Sequence, residues 1–360
     1  MIVPTLPGVT ATTVKTERLS TRVLFTGPPA GIPVLFLHGN ATSATWWEQT
    51  MLALPGGYRG IAPDQRGYGE AEPDAKIDAT RGVGDLADDA RALLDYLGID
   101  RAHLVGNSLG SIVVWRLVAQ YPARWLSITQ ADPGSPFGFG ATKDARGTPC
   151  SDDFAGSGAG LINPQLVASL QVGDRTTESP FTARSVLRTL LVKPPFVPAN
   201  EDALVDSMLS THLGQQDYPG DALPSPNWPF AGPGVFGPNN ALSPKYTNEA
   251  AGVVNADPKP TVLWVRGSHD LMVSDASVAD LGTIGPTGLI PGYPGVEAYP
   301  PQPMLTQIRS MLDAYRAAGG NYAEVIIDDA GHVPFIEKPD EFNQVFHSHL
   351  QENNPQGGNQ

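Results

Sequence analysis

The 360-residue chain has a single cysteine, no long apolar run and no signal-peptide pattern, and each of these features excludes a class of protein or site. It has one cysteine, Cys150, so it can form neither an intramolecular disulfide nor a cysteine-based zinc site. No apolar run approaches the ~18 residues of a transmembrane helix. The first residues, MIVPTLPGVTATTVKTERL, contain neither the basic region nor the continuous apolar stretch of a signal peptide. We therefore expect a cytoplasmic protein that does not enter a membrane.

Positive charge is also scarce. The chain has 23 Lys and Arg against 37 Asp and Glu, which gives a formal net charge of −14. A negative field repels nucleic-acid phosphates and anionic membrane surfaces. We therefore expect neither of these as a partner and favour a neutral or cationic small molecule as the substrate. The composition leaves the oligomeric state open.

Apolar runs recur along the chain and alternate with helical patterns. Residues 12–25 alternate apolar and polar positions, which predicts an antiparallel pair of strands. Six further runs are typical of strands covered on both faces, at 32–37, 59–62, 103–105, 126–128, 261–265 and 324–327. The clearest helical pattern runs from Val83 to Leu97. The alternation predicts an α/β fold with a doubly wound, mostly parallel eight-stranded sheet, in which ligands bind beyond the carboxyl ends of the strands.

This alternation stops between Ser135 and Pro258, where the chain is rich in Pro and Gly. We interpret residues 135–255 as a cap inserted into a core of residues 1–134 and 256–360. Three short helical stretches are predicted in the cap, at 163–172, 182–192 and 199–213. Its aromatic residues are consistent with a pocket for a bulky, apolar substrate, and equally with packing of the cap onto the core. The terminal sequence QENNPQGGNQ is expected to be disordered.

The strongest local signal is Gly106-Asn107-Ser108-Leu109-Gly110, between an apolar strand and a helical run. This G-x-S-x-G pattern in this context predicts a nucleophile elbow, whose small residues allow a strained turn. An ordinary glycine-flanked turn is the alternative, and the strand–turn–helix context argues against it. We predict Ser108 as the nucleophile and the backbone N–H of Leu109 as one donor to an oxyanion.

A serine hydroxyl needs a base to take its proton and an acid to orient that base. His332 follows the last predicted strand and is the candidate base. Asp270 follows the strand before it and is the candidate acid. Asp132, after the 126–128 strand, is a possible alternative acid because it could also reach the histidine.

Residues near the other strand ends complete the predicted site. The backbone N–H of Asn40, in the loop after Leu37, is the candidate second oxyanion donor. Trp46, Trp47 and Asn107 are possible substrate-lining residues, with packing as the alternative for each. We expect His38 to be structural.

Five segments, taken together and in this order, resemble the α/β-hydrolase superfamily. They are HGNATSATWW, PDQRGYGEAEP, GNSLGS, GSHD and DDAGHVPFIEKPDEF. The resemblance covers residues 12–134 and 256–350 and points to the branch that contains haloalkane dehalogenases, epoxide hydrolases and carboxylesterases. The HGN segment is most similar to dehalogenases, which have an aspartate at the elbow. Ser108 in that place removes the alkyl-enzyme mechanism and leaves acyl transfer.

The resemblance implies an α/β-hydrolase fold and hydrolysis of a carboxylic ester or lactone through an acyl-enzyme on Ser108. It implies no cofactor, and the chain has no clustered metal-ligand pattern such as H-E-x-x-H. Two alternatives stay open: a carbon–carbon bond hydrolase of a diketone that uses the same triad, and a hydrolase-like receptor with low turnover. The cap resembles no known segment, so the sequence leaves the substrate and the stereochemistry open.

Overall fold

The computed structural model describes residues 3–354. Residues 355–360 of the tail predicted to be disordered lie outside the described residues. For Gln351 and Glu352 that prediction is wrong, because they are the last residues of a 14-residue helix.

A single eight-stranded sheet forms the centre of the molecule. Its strands are β1 Thr10–Lys15, β2 Ser20–Thr26, β3 Ile32–Leu37, β4 Tyr58–Pro63, β5 Ala102–Ser108, β6 Trp125–Pro133, β7 Val262–Gly267 and β8 Tyr322–Ile327. The spatial order is β1-β2-β4-β3-β5-β6-β7-β8. The pairs that include β1 or β2 are antiparallel, and the others are parallel. The predicted fold class and all eight predicted strands are confirmed.

The order of the strands places the functional loops side by side. Strand β4 lies on one side of β3, and β5 lies on its other side, followed by β6. The connections that follow β3 and β5 therefore lead in opposite directions, which opens a crevice between them at the carboxyl ends of these strands. Within the sheet, Leu37 pairs with Gly106 and Asn107 pairs with Ala131. The carboxyl ends of β3, β5 and β6 are therefore neighbours.

Helices cover both faces of the sheet. They are α1 Glu48–Leu52, α2 Gly84–Tyr96, α3 Leu109–Gln120, α4 Pro164–Gln171, α5 Ala183–Val186, α6 Glu201–Leu209, α7 Pro238–Ala241, α8 Ala250–Val254, α9 Leu281–Ile284, α10 Met304–Ala317, α11 Pro334–Glu337 and α12 Pro339–Glu352. A π-helical turn at Leu187–Leu191 continues α5. Short 3-10 turns lie at Ala44–Trp47, Ala79–Arg81, Pro122–Arg124, Gly158–Leu161 and Gly285–Thr287. From residue 3 to 354, no helix is long and apolar enough to cross a membrane.

The hydrophobic core has two parts, one on each face of the sheet. On one face, α2, α3 and α10 contribute Leu93, Trp115 and Leu312 to a single hydrophobic cluster. On the other face, α12 packs through Phe346 against Phe36 of β3. This three-layer arrangement explains why the central strands are apolar on both sides, since β6 is buried along its whole length.

The segment between β6 and β7 contains α4 to α8 and little sheet. Two short strand pairs lie in it, Leu213–Gly214 with Tyr218–Pro219 and Ala222–Pro224 with Ala231–Pro233. Helix α8 at its end packs on α3 so closely that a Cβ on Gly252 would lie 2.7 Å from the Cβ of Ala119. The division into a cap of residues 135–255 and a core stays a prediction.

Candidate active site

Ser108 lies at the turn between β5 and α3. Its backbone has φ 53° and ψ −117°, a strained combination for a residue with a side chain. The flanking glycines make the turn possible. A Cβ on Gly106 would lie 2.8 Å from the backbone of Gly110, and a Cβ on Gly110 would overlap the carbonyl oxygen of Leu37. Ser108 is therefore held at the carboxyl edge of the sheet and at the N-terminal end of a 12-residue helix.

His332 and Asp270 come together from the loops that follow β8 and β7. Nδ1 of His332 lies 2.9 Å from Oδ2 of Asp270, and both side chains are buried. The other carboxylate oxygen of Asp270 accepts hydrogen bonds from the backbone N–H groups of Met272, at 2.7 Å, and Val273, at 3.0 Å. The acid that the structure joins directly to His332 is thus Asp270, the first candidate from the sequence.

Asp132, the alternative acid, lies beside this pair. One ligand atom from each of Asp132, Asp270 and His332 lies within 4.8 Å of the other two. Oδ1 of Asp132 accepts the backbone N–H of Gly267 at 3.0 Å. Burial, together with the charge of Asp270, raises the pKa of the Asp132 carboxyl well above its usual range.

This three-residue cluster has donor types that a divalent metal can use. The oxygens of Asp270 and Nδ1 of His332, however, already have protein partners. The Asp270 oxygens accept three N–H bonds, and Nδ1 of His332 makes one of them. The hydrogen-bond pattern is that of an acid orienting a histidine.

The loop that carries His332 is fixed from three sides. The backbone N–H of His332 donates to the carbonyl of Leu191, at the end of the π-helical turn, at 2.9 Å. The carbonyl of His332 accepts a hydrogen bond from Nδ2 of Asn107 at 3.3 Å. Glu337 of α11 accepts the N–H groups of Gly331 and Lys193, each at 2.7 Å. The segment before α6 and the core therefore position the histidine together.

Asn107 makes two hydrogen bonds to backbone, to Ala131 at 2.9 Å and to His332. These contacts give it a supporting role, and substrate contact by Asn107 stays a prediction. Trp47 stacks on Phe335 with ring centroids 4.2 Å apart and is completely buried. Trp46 is also buried. The structure places both tryptophans in the core, so their lining role likewise stays a prediction.

The loop after β3 passes directly over the nucleophile. A Cβ on Gly39 would lie 3.3 Å from the Cβ of Ser108. The side chain of the next residue, Asn40, accepts the Tyr68 hydroxyl at 2.7 Å and donates to Oδ1 of Asn239 at 2.9 Å. These bonds hold the segment whose backbone N–H is the predicted second oxyanion donor.

His38 supports the same loop from below. Its Nε2 accepts the backbone N–H of Gln65 at 2.9 Å, and burial lowers the pKa of His38 to about 4. A neutral ring is required for that acceptor role. The expectation that His38 is structural agrees with these contacts.

Two residues near the site, Asn239 and Glu337, were not identified from the sequence. Asn239 lies in GPNNALS, which reads as an ordinary turn, and Glu337 lies in a surface-like run of charges. Each contacts a partner that is distant in sequence. Asn239 binds Asn40, 199 positions away, and Glu337 binds Lys193, 144 positions away. No local pattern reports such contacts.

Comparison with known proteins matches residues 32–148 to a family model described as the alpha/beta hydrolase fold. The chain is 40% identical over 103 residues to the putative carbamate hydrolase RutD of Variovorax paradoxus, which is 28% of this chain and 38% of that protein. It is 37% identical over 98 residues to the 2-hydroxymuconate semialdehyde hydrolase of a Pseudomonas species, 26% of this chain and 34% of that protein. The matched part thus spans about a third of the length of these relatives.

Solved structures resemble the chain over nearly its whole length. A serine hydrolase from Cycloclasticus zankles has a TM-score of 0.59 at 16% identity, covering 96% of this chain and 98% of that one. A thermophilic esterase from Thermogutta terrifontis has a TM-score of 0.56 at 18% identity, covering 96% and 100%. At such identities the likeness concerns the fold.

Proposed function

The chain has the α/β-hydrolase fold, and from this we propose that it is a serine hydrolase that cleaves a carboxylic ester or lactone. One observation carries the proposal. A serine on a strained turn and a histidine bonded to a buried aspartate come from the ends of strands in one sheet. This combination of nucleophile, base and orienting acid performs acyl transfer on several unrelated folds.

The proposed reaction has two halves. Oγ of Ser108 attacks the carbonyl carbon while Nε2 of His332 takes its proton, and the imidazolium is stabilised by Asp270. The backbone N–H groups of Leu109 and Asn40 bind the oxyanion. His332 then returns the proton to the departing alcohol oxygen, which leaves an acyl ester on Ser108. Water, deprotonated by His332, attacks this ester and releases the carboxylic acid and the free serine hydroxyl.

The nature of the substrate is part of the proposal. The net charge of −14 disfavours polyanionic substrates, and we propose an apolar small ester or lactone. The structural relatives described as esterases, among them the one from Thermogutta terrifontis, support acyl transfer on this fold.

The test is hydrolysis of p-nitrophenyl esters of rising acyl length, and of several lactones, by the wild type and by Ser108→Ala. We expect the variant to lose at least about 10³-fold in kcat. Ser111→Ala is the matched control, because the buried hydroxyl of Ser111 in α3 has no hydrogen-bond partner among residues 3–354. Equal turnover by the wild type and Ser108→Ala would contradict the proposal.

A second candidate is hydrolysis of a carbon–carbon bond in a diketone. Relatives named 2-hydroxymuconate semialdehyde hydrolase and 2-hydroxy-6-oxo-6-phenylhexa-2,4-dienoate hydrolase favour it. A coloured dienoic diketone assayed beside the esters separates the two. Turnover of the diketone alone would favour carbon–carbon cleavage, whereas turnover of the esters alone would favour the first proposal.

A further inference from the structure

The pair Asp132 and Asp270 brings two carboxyl groups into one buried site. Asp132 is 1% exposed and has φ 42°, a conformation that aspartate adopts more readily than most side chains. Its Oδ1 accepts the N–H of Gly267. Its Oδ2 is also buried, and within residues 3–354 no N–H or neutral O–H group donates to it. The Asp132 carboxyl lies beside the carboxyl of Asp270.

Two buried carboxyl groups in contact cannot both be ionised, because the like charges repel and neither is solvated. A proton shared between them removes the repulsion and forms a hydrogen bond. The two residues differ in how many donors they have. Asp270 accepts three N–H bonds, whereas Asp132 accepts one. The negative charge therefore belongs on Asp270 and the proton on Asp132.

We infer that Asp132 is a positioning residue of the triad, which holds a proton on Oδ2 and donates it in a hydrogen bond to the Asp270 carboxylate. The inference rests on the role of Asp270 and His332 in the proposed function. The O–H of Asp132 is a fourth donor to the Asp270 carboxylate, and it holds that carboxylate in the orientation in which Oδ2 faces Nδ1 of His332. It also leaves one negative charge beside the imidazole instead of two.

The surroundings of Asp132 agree with a neutral acid. The titratable groups that face it are Asp270 from the loop after β7, His332 from the loop after β8 and Glu337 from α11. Two of these three are acids, and Glu337 lies near enough to act on Asp132 in the same direction as Asp270. Both would oppose ionisation of Asp132.

The decisive experiment is an NMR titration of His332, with histidine labelled at Cε1 and the resonance assigned by its loss in His332→Gln. We expect Asp132→Asn to leave the midpoint within about half a pH unit of the wild type, because the amide mimics a protonated acid and donates the same bond. If Asp132 is ionised in the wild type, the variant removes a charge from within 4.8 Å of the ring and lowers the midpoint by about two pH units. That shift would overturn the inference.

Asp132→Gly tests the donor itself. Glycine tolerates the positive φ, so the variant removes the hydrogen bond without adding backbone strain. We expect ester turnover about tenfold lower in Asp132→Gly than in Asp132→Asn, which keeps a hydrogen-bond donor at this position. Equal kcat in Asp132→Gly and the wild type would overturn the inference. If the wild type cleaves no ester, the proposed function fails while the NMR titration, which needs no turnover, still decides the state of Asp132.

Discussion

Nδ2 of Asn40 lies 2.9 Å from Oδ1 of Asn239, across 199 positions of sequence. The other end of the Asn40 amide accepts the Tyr68 hydroxyl, so the side chain is held at both ends. Asn40 belongs to the loop over Ser108, and Asn239 belongs to α7 in the segment between β6 and β7. This segment thus helps to hold the backbone that we propose binds the oxyanion.

Asn239→Ala should therefore lower kcat by about tenfold and leave KM nearly unchanged. The oxyanion forms only on the way to the transition state, so a misplaced donor affects the chemical step more than substrate binding. Steady-state kinetics on the best p-nitrophenyl ester measures both constants. Asn227→Ala is the control, because Asn227 binds Asp153 elsewhere in the same segment and should leave both constants unchanged. If Asn239→Ala had the same kcat as the wild type, Asn239 would not be needed to position the loop that carries the oxyanion donor.

Asp270→Asn should reduce kcat by about 10⁴-fold, the loss seen when a triad acid becomes an amide. The amide nitrogen would face Nδ1 of His332 and favour the tautomer that cannot accept the serine proton. Asp328→Asn is the matched control, because this exposed acid near the same strand ends accepts Ser268 instead. Comparable activity in Asp270→Asn and Asp328→Asn would show that Asp270 does not orient His332.

Gly110→Ala should destabilise the protein by about 3 kcal/mol and abolish ester turnover, since an added Cβ would overlap the carbonyl of Leu37 in β3 and push α3 from the sheet. Gly56→Ala is the control, because a Cβ there meets nothing within 4 Å. Urea unfolding compares the two variants. If Gly110→Ala had the same free energy of unfolding as Gly56→Ala, the turn at Ser108 would be able to accommodate the added Cβ without loss of stability.

The sequence predicts the parts of the fold that depend on local pattern. The six strands from β3 to β8 are predicted from apolar runs because central parallel strands are buried on both faces, whereas β1 and β2 are predicted from the alternation of apolar and polar residues. Ser108 was visible because a strained turn requires glycines on both sides. His332 and Asp270 were found from their places after strand ends, and the structure brings their side chains together.

The helices of the segment between β6 and β7 are harder to predict, and the reason is physical. The stretch predicted as one helix at 182–192 is split into α5 and a π-helical turn, which ends where Leu191 accepts the N–H of His332. The helix predicted to reach residue 213 ends at Leu209. These bounds are set by tertiary contacts with the core, which helical periodicity does not report.

The stability that three buried histidines contribute should fall in mild acid, because burial opposes their protonation. Burial lowers the pKa of His38, His103 and His349 to about 4, whereas the unfolded imidazoles titrate near 6.5. Between pH 6.5 and pH 4 these three side chains therefore bind more protons in the unfolded state, and their contribution to the free energy of unfolding decreases as the pH falls. His349→Gln should reduce that decrease by up to about 1.4 kcal/mol per pH unit, measured by urea unfolding at pH 7.5, 6.0 and 5.0. His269→Gln changes an exposed ring and should follow the wild type. An unchanged slope in His349→Gln would mean that this histidine does not oppose acid unfolding.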